Sequence, residues 1–151
     1  MTGTGTGRPL ADINRLIREN RVDDYPSANR DLGMQPLRFA EGESRWRWAQ
    51  QPGRVLNPFG TVQGGYLAVF VDELLATAVG SVLEEGEWAM TADTRLSYLR
   101  AVPPGEIEGG ARVLRRSRSL AFLEAGVTDA RGRAVVTAAS TWSISRQRDE
   151  H

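Results

Sequence analysis

Two features of the sequence could do chemistry together: the pair Gly64-Gly65 and, seven residues after Gly65, Asp72. Both lie in the stretch Asn57 to Leu83, a loop with Pro58 and Gly60 followed by a segment apolar on nearly every face. A glycine pair where a helix begins leaves unpaired backbone N–H groups at the positive end of the helix dipole, and lets a ligand approach them closely. Such a position suits the oxyanion that develops during acyl transfer, and a carboxylate is a nucleophile or general base for the same reaction. The plainer alternatives are a packing glycine pair at a crowded helix start, a buried Asp72 satisfied by hydrogen bonds, and at Glu73 a partly exposed or interface charge. Spacing limits what one copy can do. Seven residues is about 10 Å along a helix axis, nearly on one face. A small carbonyl cannot touch both ends of that span. If both features act on it, Asp72 must come from a second copy of the helix packed antiparallel across a two-fold, in a homodimer.

The absences narrow the chemistry further. There is no cysteine, which removes thiol nucleophiles, disulfides and thiolate metal sites. All nineteen basic residues are arginine, so no lysine is available for a Schiff base or a phosphate loop. The single histidine is His151, the last residue, poorly placed for a triad, a His-Asp dyad or a histidine-built metal site. No metal and no cofactor is expected, and chemistry falls to carboxylates, amides, hydroxyls, backbone groups and arginine. A net charge of zero gives no reason to expect nucleic acid or an anionic membrane as partner.

The elements that must position these residues follow from period and punctuation. At 151 residues the chain is read as one structural domain with tails. Residues 1–8, a Thr-Gly repeat at the start, form an expected disordered tail without the pattern of a signal peptide. Residues 9–33 are expected to hold a short helix after Pro9, with Leu10, Ile13 and Ile17 at helical spacing, and then a polar connection. From Met34 the period drops to two, and Trp46 and Trp48 alternate with Arg45 and Arg47 as core residues of a strand. The apolar segment to Leu83 is long enough to suggest a membrane span, but an acid at a helix centre costs about 2.5–3.5 kcal/mol there, and this one has two. A buried core helix in a soluble, cytoplasmic protein is expected instead, with Gly86 as its C-terminal cap. Four strands follow: Trp88 to Leu99, Ile107 to Arg115, Leu120 to Thr128 and Ala134 to Ile144, read as an antiparallel meander. The fold class is α+β, a sheet curled around one helix over residues 34–146, with a C-terminal tail at 147–151.

Taken together, Asn57-Pro58-Phe59-Gly60-Thr61-Val62-Gln63-Gly64-Gly65, Asp72, Thr91 to Arg100, Pro104-Gly105, Arg116-Ser117-Arg118 and Asp129 to Gly132 resemble the hotdog-fold acyl-CoA thioesterases of the PaaI type. The resemblance covers roughly Leu32 to Ile144. It implies a hotdog fold, with the long helix as sausage and the antiparallel sheet as bun, in dimers or dimers of dimers. It implies Asp72 as catalytic carboxylate, Gly64 as backbone donor to the thioester oxygen from the partner subunit, and Asn57 as the amide that holds the carbonyl or water. Gln63 and Gly65 would border the substrate, and Arg100, Arg116, Ser117 and Arg118 would contact coenzyme A; a solvated sheet edge is the other reading of the arginines.

The chain departs from that pattern at Gln63, where the family usually reads histidine. A glutamine amide donates and accepts hydrogen bonds but carries no proton between groups. Thioester hydrolysis, acyl-CoA plus water to free acid and CoA, is the leading expectation. A non-catalytic acyl-CoA or hydrophobic-ligand binding protein is the alternative. A hotdog dehydratase would need an Asp-His pair that the sequence lacks. Tyr66 and Phe70 could line an acyl pocket or belong to the core.

Overall fold

A computed structural model describes residues 10–147. The stretch carrying Asp72 forms a 17-residue helix, α2 (Gly64–Gly80), wrapped by one six-stranded antiparallel sheet. The strands are β1 (Met34–Ala40), β2 (Glu43–Trp48), β3 (Glu87–Tyr98), β4 (Ile107–Arg116), β5 (Leu120–Asp129) and β6 (Ala134–Arg146). Their spatial order is β1-β2-β4-β5-β6-β3. The α+β hotdog arrangement expected from the sequence is the one that forms.

Alternation on β2 shows why the sheet closes on the helix. Ser44, Trp46 and Trp48 are buried, while Glu43 and Arg45 face out, as a period of two requires. Both tryptophans are core residues, as expected. The Trp46 indole N–H donates to the Thr77 hydroxyl on α2 at 3.0 Å, and that of Trp48 to the Leu32 carbonyl at 2.6 Å. Phe70 packs against Trp48 with ring centroids 5.7 Å apart, so it is core and not pocket lining, while Tyr66 is half-buried. On β4, a Cβ at Gly109 would stand 2.7 Å from a Leu74 methyl. The bare backbone lets α2 settle directly on the sheet.

Two expectations need correction. The helix ends at Gly80 and not near Leu83, and Gly86 is not its cap. Ser81 closes it, donating from its hydroxyl to the Ala78 carbonyl at 2.6 Å and accepting the Gly42 N–H at 2.8 Å. Gly86, with φ 77°, instead turns the chain into β3. The strands are also not a simple meander. Of the four strands after the helix, only β4-β5-β6 run as neighbours in sequence, whereas β3 pairs with β6 at the far edge. Pro103-Pro104-Gly105 lies in the connection that carries the chain from one edge to the interior. The alternation along a strand says which face is buried, not which strand lies beside it.

The expected N-terminal helix is α1 (Leu10–Arg18). Two 3-10 turns, Val22–Asp24 and Ala28–Leu32, follow and press the polar connection onto α2. Tyr25 meets Phe39 and Trp46 edge-on at 5.4 and 5.9 Å. Ser27 and Asn29 donate to Glu73 Oε1 at 2.6 and 2.5 Å. The second acid of the helix is therefore the anchor of the N-terminal arm. Residues 1–8, Pro9 and His151 lie outside the described residues, and of 147–151 only Gln147 lies within them. No helix among the described residues is long and apolar enough to cross a membrane.

Candidate active site

The loop before α2 is built by its own first residue. Asn57 Oδ1 accepts the N–H groups of Phe59 and Thr61 at 3.0 and 3.1 Å, and Asn57 Nδ2 donates to the Thr61 hydroxyl at 2.8 Å. This is the turn-forming use of an asparagine amide, and it leaves one N–H of Nδ2 for a ligand. Gly60, with φ 80°, supplies the left-handed residue the turn needs. The next two backbone amides tie the loop down: Val62 to the Val102 carbonyl at 2.8 Å and Gln63 to the Val55 carbonyl at 2.9 Å. Gln63 is the N-cap in extended conformation, and its exposed side chain makes no hydrogen bond among the described residues.

Gly64 and Gly65 are then the first two helical residues, and neither N–H finds an acceptor among the described residues. Tyr98, from the end of β3, donates its hydroxyl to the Gly64 carbonyl at 2.9 Å. A Cβ at Gly64 would lie 3.3 Å from that ring, so the tyrosine rests on the glycine. Asn57, Gly64, Leu67, Tyr98 and Arg100 line one groove of about 360 Å³. The structure thus brings three expected site residues together at the helix start, and Gly65 stays open beside them, with nothing within 4 Å of where its Cβ would be.

Asp72 is not in that groove. It sits two helical turns further on, about 12 Å from Gly64 by helical rise, and it is exposed in the single protomer. The surrounding protein nonetheless displaces enough water to push its carboxyl above the ordinary aspartate range, against a lesser opposing effect from the Thr91 hydroxyl. No side chain of the loop or of α2 hydrogen-bonds Asp72 among the described residues. Asn57 serves its loop, Gln63 stands free, and the Thr77 hydroxyl donates to the Glu73 carbonyl at 2.7 Å. Thr91 and Tyr98 are the site residues the sequence reading missed. Strict alternation would set two residues seven apart on opposite faces of β3, but the register shift between Thr91 and Asp93 adds one residue and returns them to one face.

Arg116 ends β4 and Ser117 and Arg118 occupy the β4–β5 turn, beside the start of β3, whereas Arg100 follows its end. A 12-residue strand spans about 37 Å, so these groups do not share a groove in one protomer. Ser117 is held by its own turn, its N–H donating to the Leu120 carbonyl at 2.8 Å, and Arg118 is exposed. Arg116 pairs with Glu87, whose side chain is 6 % exposed and which also faces Arg146. Burial alone would raise the Glu87 carboxyl; the Glu84 N–H, Arg116 and Arg146 together outweigh it and hold the carboxyl below its usual range. A depressed native pKa contributes stability above the unfolded value, about 4.3, and loses it as pH falls through the native value. Removing one partner of a buried pair leaves the other stranded, discounted here because Arg146 and the Glu84 N–H remain. Arg116→Ala should cost about 2–3 kcal/mol, read as a fall of roughly 5–10 °C in the thermal midpoint at pH 7. The gap between variant and wild type should shrink in acid. Among the described residues, no group of three or more histidine, aspartate and glutamate side chains is arranged to hold a metal.

Known proteins share this architecture. A thioesterase of Haemophilus influenzae superposes with TM-score 0.76 at 21 % identity, over 96 % of each chain. The PaaI protein of the Escherichia coli phenylacetic acid degradation operon superposes with TM-score 0.75 at 16 % identity, over 89 % of this chain and 95 % of its own. A phenylacetic acid degradation-related protein of Ralstonia eutropha does so with TM-score 0.75 at 27 % identity, over 87 % and 98 %. No curated protein matches the chain. The sequence model of the thioesterase superfamily matches residues 59–136, which include Gly64, Asp72, Thr91 and Tyr98. With the matched segment spanning just over half of its length, the chain belongs to the thioesterase superfamily and is a PaaI-like thioester hydrolase.

Proposed function

We propose that the protein hydrolyses acyl-CoA thioesters as a homodimer, with each active site shared between two copies of α2. The observation that carries this reading is the pairing of Gly64 with Tyr98 and of Asp72 with Thr91, at separate positions on one free strand edge. Among the described residues β3 bonds to β6 on one side only, and Thr91, Ala92, Asp93, Arg95, Ser97 and Tyr98 are exposed. A long unpaired edge of this kind is a template for another strand. A two-fold antiparallel pairing of β3 with its copy, centred on Arg95 and passing over Ala92 at the bulge, sets Thr91 opposite the partner subunit's Tyr98. Asp72 of one protomer then faces the helix start of the other. Phe59, 91 % exposed at the tip of the site loop, is an apolar surface that the same contact could cover.

In the shared site, water adds to the thioester carbonyl, the carbon–sulfur bond breaks, and the products are the free acid and CoA. Asp72 supplies the nucleophile or takes the proton of the attacking water. The Gly64 and Gly65 N–H groups stabilise the oxyanion at the positive end of α2. The free N–H of Asn57 and the Gln63 amide border the carbonyl, and Arg100 with Arg118 offers positive charge to the phosphates of CoA, Ser117 lying beside Arg118 while Arg116 stays bound to Glu87. Two dimers associating would give a tetramer. An acyl-CoA substrate also places the working enzyme in the cytoplasm, where such thioesters are made and used.

The test is thiol release from a panel of short, aromatic and long-chain acyl-CoAs, with the oligomer mass measured on the same sample. Turnover by a dimer or tetramer is the expected result; tight binding of the panel without thiol release would make the protein a binding module instead. The pH profile adds a check on Asp72. The ionised carboxylate is the active form and its pKa is raised, so kcat/KM should fall on the acid side at a pH above the ordinary aspartate value of about 3.9. Thr91→Val removes the group that opposes the rise. The acid limb should therefore move to higher pH in that variant, and a limb that stays in place would remove Thr91 from the site.

A further inference from the structure

The hydroxyl of Tyr98 donates to the Gly64 carbonyl at 2.9 Å, and the choice of that atom matters. A phenol has a single proton to give, so with it on Gly64 the tyrosine has none left for a thioester oxygen. The carbonyl of Gly64 and the N–H of Gly65 belong to one planar trans peptide and point opposite ways. Holding the oxygen on one side therefore aims the N–H on the other, out of the helix start. That N–H finds no acceptor among the described residues. The plane also needs holding. It joins two glycines, whose backbone is the most permissive, in the first turn, where no intrahelical bond restrains the N–H. Nothing stands within 4 Å of where a Gly65 Cβ would be, whereas a Cβ at Gly64 would meet the Tyr98 ring at 3.3 Å. Tyr98 is itself fixed by the sheet. It pairs with Val136 on β6, and the next residue, Leu99, donates its N–H to the Val135 carbonyl at 2.9 Å. Further along the same segment, the Val102 carbonyl accepts the Val62 N–H at 2.8 Å. The chain leaving β3 thus grips both the site loop and the first peptide of α2.

We propose that Tyr98 is a positioning residue for thioester hydrolysis: its hydroxyl fixes the Gly64–Gly65 peptide so that the Gly65 N–H meets the oxyanion, and polarises that amide through its carbonyl. The proposal rests on the thioesterase reading above and assigns part of the oxyanion stabilisation to a side chain that touches no reacting atom. Hydrogen bonds in a chain strengthen one another, and this chain runs from the Tyr98 O–H through the Gly64 carbonyl to the Gly65 N–H. A donor already aligned needs no reorganisation when charge appears, so the gain falls in the transition state and not on substrate binding. The antiparallel pairing of β3 with its copy gives the position a further meaning. The residue that holds the oxyanion donor of one protomer lies opposite the position, Thr91, that borders Asp72 in the other. One stretch of strand edge then sets both halves of a shared site.

Tyr98→Phe keeps the ring and removes only the hydroxyl; thermal midpoint and oligomer mass check that the full-length variant folds and assembles. With the best substrate of the acyl-CoA panel, kcat should fall about 3–10-fold, with KM within about twofold of wild type. The loss is smaller than for deletion of a donor because the N–H is loosened and not removed. In the free protein, carrying isotope-labelled glycine for amide resonances, the Gly65 amide proton should move upfield, while Gly109 and Gly126 in the sheet stay in place. An unshifted Gly65 resonance overturns the grip. A kcat within about twofold of wild type, or a loss carried in KM alone, overturns its role in the reaction. If the wild type releases no thiol from any acyl-CoA, it is the hydrolase reading that fails, and the Gly65 resonance still judges the grip: a shift on losing the hydroxyl keeps it, and no shift removes it.

Discussion

Asp72→Asn is expected to lower kcat by about 10³-fold or more while leaving the fold and the oligomer in place. Asparagine has the same shape but can neither attack a carbonyl nor take a proton from water at neutral pH. The size of the effect follows from the role: a positioned acid or base is worth about 10²–10⁴ in rate, and a lost nucleophile more. Nothing in the packing opposes the change, because the side chain is exposed in the protomer and forms no ion pair among the described residues. Its raised pKa carries a second consequence. An acid whose native pKa lies above its unfolded value destabilises the native state wherever it is ionised. Neutralising it should therefore leave the thermal midpoint at pH 7 unchanged or slightly higher. Lost turnover with retained or increased stability is the mark of a group placed for chemistry and not for packing. Turnover within tenfold of wild type would remove Asp72 from the mechanism.

That residue shows how far the sequence could be read. The helix, its apolar surround and the glycine start were legible because each follows from local pattern: Pro58, Gly60 and Gly64-Gly65 punctuate, and seventeen residues of near-continuous apolar character demand a core. Trp46 and Trp48 were legible for the same reason, since alternation on β2 survives intact. Tertiary partners were not. Thr91 reaches Asp72 from β3, a strand whose place at the far edge depends on an eight-residue connection and leaves no trace in its own alternation. Regular alternation would separate it from Tyr98, seven residues on, and only the bulge beside Thr91 brings the two to one face. Glu73 reads as an interface charge until Ser27 and Asn29, more than forty residues away, are seen to close on it. Arg116 is similar. The family resemblance implies a phosphate contact for it, but the buried Glu87 that engages it comes from another strand.

The division of the site between two subunits gives the second large effect, at Gly64. Gly64→Pro deletes the N–H proposed to stabilise the oxyanion, and it does so without cost to the helix. Position 64 is the first helical residue, where proline is favoured because no intrahelical bond is lost. Gln63 before it already holds the extended conformation that a following proline requires, with φ −63° and ψ 136°. The ring adds a Cβ about 3.3 Å from Tyr98, a contact the exposed tyrosine can relieve by a small shift. Loss of one oxyanion donor should lower kcat by about 10²–10³-fold with little change in KM. Mixing then distinguishes a shared site from a private one. When Gly64→Pro and Asp72→Asn chains are unfolded together and refolded, half of the dimers are hybrid. In each hybrid, one site takes Asp72 from the first chain and Gly64 from the second, so it is wild type; the other carries both defects. Activity should return to roughly a quarter of wild type at equal mixing. If Gly64 and Asp72 of the same chain formed one site, every site would carry one lesion and the mixture would be as inactive as its parents. Recovery requires the antiparallel pairing of two helices that the spacing of Gly64 and Asp72 demands.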